Sequence, residues 1–94
     1  MRETKIWDLA TRLTTPEAIA DYLDAALEDG DPHVVASVIG DIARAKGMAD
    51  ISRETGLSRE SLYRTLGDSG NPRLDTLLKV LKALGLRISA RPAA

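Results

Sequence analysis

The strongest fold signal in this chain is the run DISRETGLSRESLYRT, residues 50 to 65. Its pattern predicts two short amphipathic helices separated by a tight turn. Gly56 can adopt the left-handed backbone conformation that ends the first helix, and Ser58 can accept the free amides at the start of the second. Leu62 then faces inward. Together these features indicate a helix-turn-helix over residues 48 to 66, an arrangement that presents its second helix to a groove.

The outward side chains of that second helix indicate what the groove belongs to. They can bond to base edges or to phosphates, and they are Arg59, Glu60, Ser61, Tyr63 and Arg64. Arg59 can reach guanine, and Arg64 can reach a second base or a phosphate one turn later. Arg73 follows the next loop, where it can contact the DNA backbone or the minor groove. The sequence therefore predicts binding to double-stranded DNA.

Two more cations, Arg44 and Lys46, precede the motif, and two roles are open for them. They lie in the last turn of a predicted helix that ends at Gly47, where cations favour the negative end of the helix dipole. The alternative is a contact with DNA phosphates. The residues alone do not separate these roles.

Five helices are predicted, with turn residues between them. A cap followed by a proline marks three starts, at Thr15-Pro16, Asp31-Pro32 and Asn71-Pro72. Gly40 lies inside the second helix, where it is unfavourable unless another helix packs closely against it. The first residues, 1 to 14, carry no clear cap and are predicted to form a mostly irregular N-terminal extension. The predicted helices cover residues 16–28, 32–46, 48–55, 59–66 and 72–84.

After Gly85 the hydrophobic period changes from helical to two, which predicts a short strand over residues 86 to 91. A lone strand is not stable, so it must pair with a second copy of the chain or with a segment of the N-terminal stretch. The sequence favours a homodimer through Leu86, Ile88 and Ala90, with pairing inside the chain as the alternative. The expected fold is a single all-α domain, residues 1 to 94, with this strand at its C-terminal end.

Composition excludes several classes of protein. The 94 residues include no cysteine and a single histidine, so no disulfide, metal site, cofactor or catalytic group is predicted, and the protein is not expected to be an enzyme. No apolar run approaches the roughly 20 residues that a membrane helix needs, and the N-terminus lacks the apolar core of a signal peptide. The sequence therefore predicts a cytoplasmic protein that does not engage a membrane.

Charge is divided unequally along the chain. Residues 1 to 41 carry a net charge of −6, and residues 42 to 94 carry +5. A basic half can neutralise phosphates, whereas DNA would repel an acidic half, which suits a basic protein surface. Asp21, Asp24 and Glu28 share one face of a predicted helix. That face is either solvated or turned toward a protein partner.

Three longer runs resemble one protein family. They are GDIARAKGM at residues 40–48, GLSRESLY at residues 56–63 and LLKVLKALGL at residues 77–86. With TPEAI upstream, at residues 15–19, they make the chain similar to the addiction-module antidote proteins over residues 7 to 90. These are HigA-like antitoxins with a lambda-repressor-like DNA-binding domain.

This resemblance implies a five-helix lambda-repressor-like fold and a bacterial antitoxin of a type II toxin-antitoxin module. Such a protein represses its own operon as a homodimer on operator DNA, and it captures a small basic toxin of the RelE/ParE-like superfamily. The resemblance assigns base reading to Arg59, Glu60, Ser61 and Arg64. The predicted backbone contacts are Arg44, Lys46, Met48, Ser58, Tyr63 and Arg73. Met48 stands where the family often has glutamine, so its phosphate contact would come from backbone amides alone.

The charge division then predicts which half of the chain meets which partner. The basic half would bind the operator, and the acidic half would bind the toxin through Trp7, Asp21, Asp24 and Glu28. Two alternatives compete with this interpretation. The chain is either a stand-alone transcriptional repressor without a toxin partner, or a helical interaction module that never touches DNA.

Overall fold

The computed structural model describes residues 2 to 67 and 69 to 93. Within them the fold is all-α, as predicted, and six helices follow one another along the chain. They are α1 (Arg2–Arg12), α2 (Pro16–Asp29), α3 (Pro32–Lys46), α4 (Met48–Thr55), α5 (Arg59–Thr65) and α6 (Leu74–Ala83). The prediction of five helices is therefore wrong, because it missed the N-terminal helix α1.

The starts of α2 and α3 confirm the predicted caps. Thr15 Oγ1 accepts a hydrogen bond from the amide of Ala18 at 3.1 Å, and Asp31 Oδ1 accepts one from the amide of His33 at 2.9 Å. In both helices a proline occupies the first turn, where its missing N–H costs nothing. Local chemistry is therefore sufficient to define these two boundaries.

The N-terminal stretch is helical, which corrects the prediction of an irregular extension. Leu9 and Leu13 of this stretch are buried, Ile6 packs against them, and α1 lies against α3. A short helix is marginal alone, but tertiary packing of its apolar face can stabilise it. Contact with α3 therefore outweighs the weak local signals of this stretch.

No strand forms at the C-terminal end of the described chain, so the predicted strand over residues 86 to 91 is wrong. The segment has no regular secondary structure and lies along α2, where Arg91 Nη2 approaches Asp24 Oδ1 at 3.4 Å. A strand needs a partner ladder. The N-terminal stretch, which was the alternative partner inside the chain, forms helix α1 and supplies no strand. Leu86 instead packs against the core, and its amide donates to the carbonyl of Leu81 at 2.8 Å.

The core is organised around α3, which packs against α1, α2, α4 and α5. The fully buried Ile39 and Ile42 lie near its middle. Gly40 lies between them in the sequence and is also buried. The backbone carbonyl of Leu66, at the end of α5, occupies the space that a Cβ on residue 40 would need. The close packing that would favour a glycine at this position is therefore present. It brings the end of α5 directly onto α3.

Candidate nucleic-acid interface

The turn between α4 and α5 has the predicted geometry. Gly56 adopts φ 77° and ψ 5°, in the left-handed region, and its amide donates to the carbonyl of Ser52 at 2.9 Å. Ser58 is extended, and its Oγ accepts a hydrogen bond from the amide of Ser61 at 3.0 Å. Glycine ends one helix and serine begins the next within three residues.

Side chains of α4 hold this turn in addition to its backbone bonds. Ser52 Oγ donates to the carbonyl of Leu57 at 2.5 Å, and Thr55 Oγ1 accepts from the amide of Leu57 at 3.2 Å. Leu57 itself packs against the core. Because both polar groups of the Leu57 backbone are bonded to α4, the direction of α5 relative to α4 is tightly defined.

The fully buried Leu62 and Leu66 anchor α5 to the core and decide which of its residues face outward. The three charged residues predicted to read bases, Arg59, Glu60 and Arg64, are all exposed. Ser61, the fourth, is only half-exposed. The structure therefore brings three of the four candidates to the outer surface of one short helix.

Arg44 connects α3 to α5 through contacts that were not predicted from the sequence. Its Nη1 lies 3.5 Å from Oδ1 of Asp41, and its guanidinium carbon lies 5.2 Å from the centre of the Tyr63 ring. The Arg44 side chain is 18% exposed and that of Asp41 only 1%. Sequence reasoning missed Asp41, although its place beside Ile42 on the apolar face of α3 was a signal. Arg44 has a structural role, and its phosphate contact stays a prediction.

The other predicted backbone contacts differ in their exposure. Lys46 is exposed at the end of α3, and Tyr63 is 42% exposed. Met48 is buried, so only the backbone at the start of α4 can face a phosphate there, and no side chain caps that helix end. The hydroxyl of Ser58 already serves as a cap.

Arg73 lies just before α6, with an 86% exposed side chain whose Nε is 3.4 Å from Oδ1 of Asp75. The carboxylate of Asp75 accepts a hydrogen bond from the amide of Thr76 at 2.8 Å. This bond and the positive charge of Arg73 hold the pKa of Asp75 below its usual value. The basic and acidic side chains at this position form a mixed-charge surface.

The predicted toxin-binding residues lie on α1 and α2. Trp7 is 70% exposed on α1, while Asp21 and Glu28 are exposed on α2. Asp24 differs because the C-terminal segment already supplies Arg91 to it. Of the predicted dimer residues, Leu86 is half-buried against the core, whereas Ile88 and Ala90 are exposed. The structure therefore does not place these three on one free face.

Within the described residues, no three side chains of the His, Cys, Asp or Glu type lie close enough to hold a metal ion. Over the same residues, the structure contains no helix with the length and apolar character that crossing a membrane requires.

Comparison with known proteins identifies the family. The model of a family described as "Probable addiction module antidote protein" matches residues 3 to 92. The chain belongs to this family. It is also 42% identical over 89 residues to an "Uncharacterized protein" of Haemophilus influenzae, a match that covers 95% of this chain and 92% of the relative. No solved structure matches the chain significantly. An antidote of an addiction module implies a toxin as partner, and the family description is that of a regulatory protein rather than of an enzyme.

Proposed function

We propose that this protein is the antitoxin of a type II toxin-antitoxin module. In this proposal it binds the operator of its own operon as a homodimeric repressor, and it neutralises a small basic RelE/ParE-like toxin by direct contact. Membership of the antidote family supports the toxin partner. The DNA partner rests on the outward face of α5, where two exposed arginines stand on a short helix that is capped and anchored at both ends.

The order of elements supports a lambda-repressor-like, HigA-like domain. In such a domain α4 and α5 form the helix-turn-helix, and they are the second and third of the last four helices, α3 to α6. α5 is the candidate recognition helix, because its buried leucines leave Arg59, Glu60 and Arg64 free to reach base edges. Lys46 and Arg73 are exposed and available for phosphates.

Gel retardation of the DNA upstream of the protein's own gene tests the DNA contact. The double variant Arg59→Ala/Arg64→Ala is expected to lose retardation, because each lost base contact costs about 1–3 kcal/mol. The control variant Arg12→Ala/Arg91→Ala removes two exposed arginines from other parts of the chain and should retain it. Circular dichroism should show equal helix content in both. Unchanged retardation by the first variant would contradict base reading.

The toxin contact is assigned to the exposed Trp7 and to the acidic face of α2. Exposed tryptophans are frequent anchors of protein interfaces, and carboxylates suit a basic partner. The test is copurification with the product of the reading frame adjoining the gene. Trp7→Ala and Asp21→Lys/Glu28→Lys should each reduce copurification and leave DNA retardation intact.

A matched charge reversal separates the acidic face from net charge. Asp50→Lys/Glu54→Lys reverses two exposed carboxylates on α4, outside the proposed contact, and should copurify like the unmodified protein. Loss of toxin in this control, or full retention in the α2 variant, would contradict the assignment to α2. The absence of a toxin reading frame beside the gene would instead favour the interpretation of the protein as a stand-alone repressor.

A further inference from the structure

A buried ion pair lies where α3 meets the candidate recognition helix, α5. Among the described residues, Asp41 of α3 is the only charged side chain that the fold buries. Its carboxylate lies 3.5 Å from Nη1 of Arg44, one turn further along the same helix. A buried ion pair often gives no more stability than apolar residues of the same volume. Stability alone therefore does not account for this pair.

The Arg44 side chain is held in a position that does not suit a phosphate contact. Its Nη1 lies 3.1 Å from the position that a Cβ on Gly40 would take, so the side chain folds back along α3. Only 18% of it is exposed. The carboxylate of Asp41 also offsets the positive charge that would attract a phosphate. To reach DNA directly, Arg44 would have to leave Asp41, and the buried carboxylate would lose this cation.

Tyr63 of α5 is the residue that the same guanidinium contacts across the two helices. The guanidinium carbon lies 5.2 Å from the centre of the ring, within the roughly 6 Å of a cation–π contact. Tyr63 is nevertheless 42% exposed, and the nearby Glu60 and Arg64 are exposed as well. A tyrosine side chain has only two rotatable angles, so contact with a fixed guanidinium restricts the direction of the phenol. A phenolic hydroxyl can donate a hydrogen bond to a phosphate oxygen of DNA.

We propose that Asp41 and Arg44 are positioning residues for Tyr63, and that the Tyr63 hydroxyl, not the Arg44 guanidinium, donates to a DNA phosphate beside α5. Asp41 fixes the guanidinium, the guanidinium fixes the ring, and the ring presents the hydroxyl. This role rests on the proposed function, since it requires α5 to lie on DNA. It makes DNA binding depend on a buried acid that cannot touch DNA itself.

Salt dependence distinguishes a positioning role of Arg44 from a direct phosphate contact. A cation that contacts a phosphate releases counterions, and its loss lowers the slope of log K against log salt by about 1. A neutral hydroxyl releases none. Loss of Arg44 should therefore weaken binding without lowering the slope, provided that the net charge stays the same. The variant Asp41→Asn/Arg44→Gln meets this condition, because it removes one charge of each sign from the same contact.

Gel retardation of the DNA upstream of the gene, at several salt concentrations, tests the inference on the full chain. Asp41→Asn/Arg44→Gln and Tyr63→Phe should each weaken binding about three- to tenfold at an unchanged slope. When the two are combined, Tyr63→Phe should add less than about twofold, because the hydroxyl is no longer held in place. Asp8→Asn/Arg12→Gln is the matched control. It removes an exposed ion pair of α1 at the same net charge and should bind like the unmodified protein.

Asp41→Asn alone separates the two roles of Arg44 by the sign of its effect. The substitution removes a negative charge and leaves Arg44 in place, so a direct phosphate contact would become stronger. Loss of the anchor that positions Tyr63 makes binding weaker instead. Circular dichroism and thermal melting establish that each variant is folded at the assay temperature. A lower melting temperature with unchanged retardation would overturn the inference, because the pair would then serve stability only.

Three further results would overturn it: a slope lowered by about 1 in the charge-neutral variant, full retardation by Tyr63→Phe, or additive effects of the two. Tyr63→Phe leaves the buried pair intact, so its result decides the matter even if the pair variant does not fold. If Arg59→Ala/Arg64→Ala loses retardation while one of these results is found, the proposed function stands and only this inference fails. Absence of retardation by the unmodified protein would contradict both.

Discussion

At the scale of single residues, Arg44 has a packing role that the structure shows and a DNA-binding role that is only predicted. Its guanidinium lies between the buried carboxylate of Asp41 and the ring of Tyr63, so it connects α3 to α5. Removing a cation from a buried carboxylate is costly because the remaining charge stays away from water. The placement of the Tyr63 ring depends in part on the same contact.

Arg44→Ala is therefore expected to lower the free energy of unfolding by about 1–3 kcal/mol, measured by urea denaturation. Arg53→Ala is the matched control. It removes an ion pair with Asp50 at the same three-residue spacing, but both of those side chains are more than half exposed, and it should cost less than about 1 kcal/mol. Equal losses in the two variants would mean that burial of Asp41 does not matter.

At the scale of elements, α1 is a part of the domain rather than an appendage. Leu9, on its inner face, is 1% exposed, whereas Trp7, two residues earlier, is 70% exposed. One helix therefore carries a residue for packing and a residue for proposed binding. The two functions can be measured separately because they lie on different sides of it.

Leu9→Ala should lower the free energy of unfolding by about 2–5 kcal/mol, because it leaves a cavity between α1 and α3. Trp7→Ala deletes a larger side chain but should cost less than about 1 kcal/mol, since that side chain faces solvent. Thermal or chemical denaturation of both variants gives the comparison. A larger loss for Trp7→Ala would mean that Trp7 packs within the domain and is not free for a partner.

The start of α5 allows a comparison between two helix caps. Ser58→Ala removes the bond from Ser58 to the amide of Ser61 and should cost about 1 kcal/mol of stability. Thr15→Ala removes the equivalent bond at α2 and should cost a similar amount. Only Ser58→Ala should also weaken DNA retardation, because α5 carries the proposed base readers. Equal retardation by both variants would contradict a DNA role for the start of α5.

At the scale of the whole molecule, the division of charge along the chain follows the helices except at the C-terminal segment, where Arg91 of the basic part pairs with Asp24 of α2. The first 41 residues, with α1 and α2, carry −6, whereas residues 42 to 94, with α4, α5 and α6, carry +5. A net charge of −1 therefore does not exclude DNA binding. Only the basic part has to approach phosphates.

Operator binding should weaken steeply with salt, because each phosphate contact releases counterions. Lys46→Ala should reduce the slope of log K against log salt by about 1 per protomer and weaken all DNA sequences alike. Arg12→Ala, on the exposed side of α1, should leave the slope unchanged. A retardation assay at several salt concentrations measures both. An unchanged slope for Lys46→Ala would remove this residue from the backbone contacts.

Most helix boundaries with local signals follow from residue type and spacing. Thr15, Asp31 and Ser58 accept amides a few residues ahead, and Gly56 ends α4 through its own backbone conformation. Such bonds form within one turn of the chain, so residue type and spacing can predict them. The same holds for the exposure of Arg59, Glu60 and Arg64, which follows from the buried positions of their neighbours on α5. The predicted start at Asn71-Pro72 is nevertheless wrong, because α6 begins at Leu74 with Arg73 at its N-cap and no side-chain cap.

Contacts between distant segments set the rest of the fold, and these contacts are seen in the three-dimensional arrangement alone. α1 is helical because α3 covers its apolar face, and the C-terminal segment lies on α2 because no ladder partner exists for it within the described chain. The burial of Asp41 and the close approach of Leu66 to Gly40 likewise depend on which segments pack against α3. Neither hydrophobic periodicity nor secondary-structure propensity indicates which other segment will pack against an element. That packing outweighs both in setting the structure of the element.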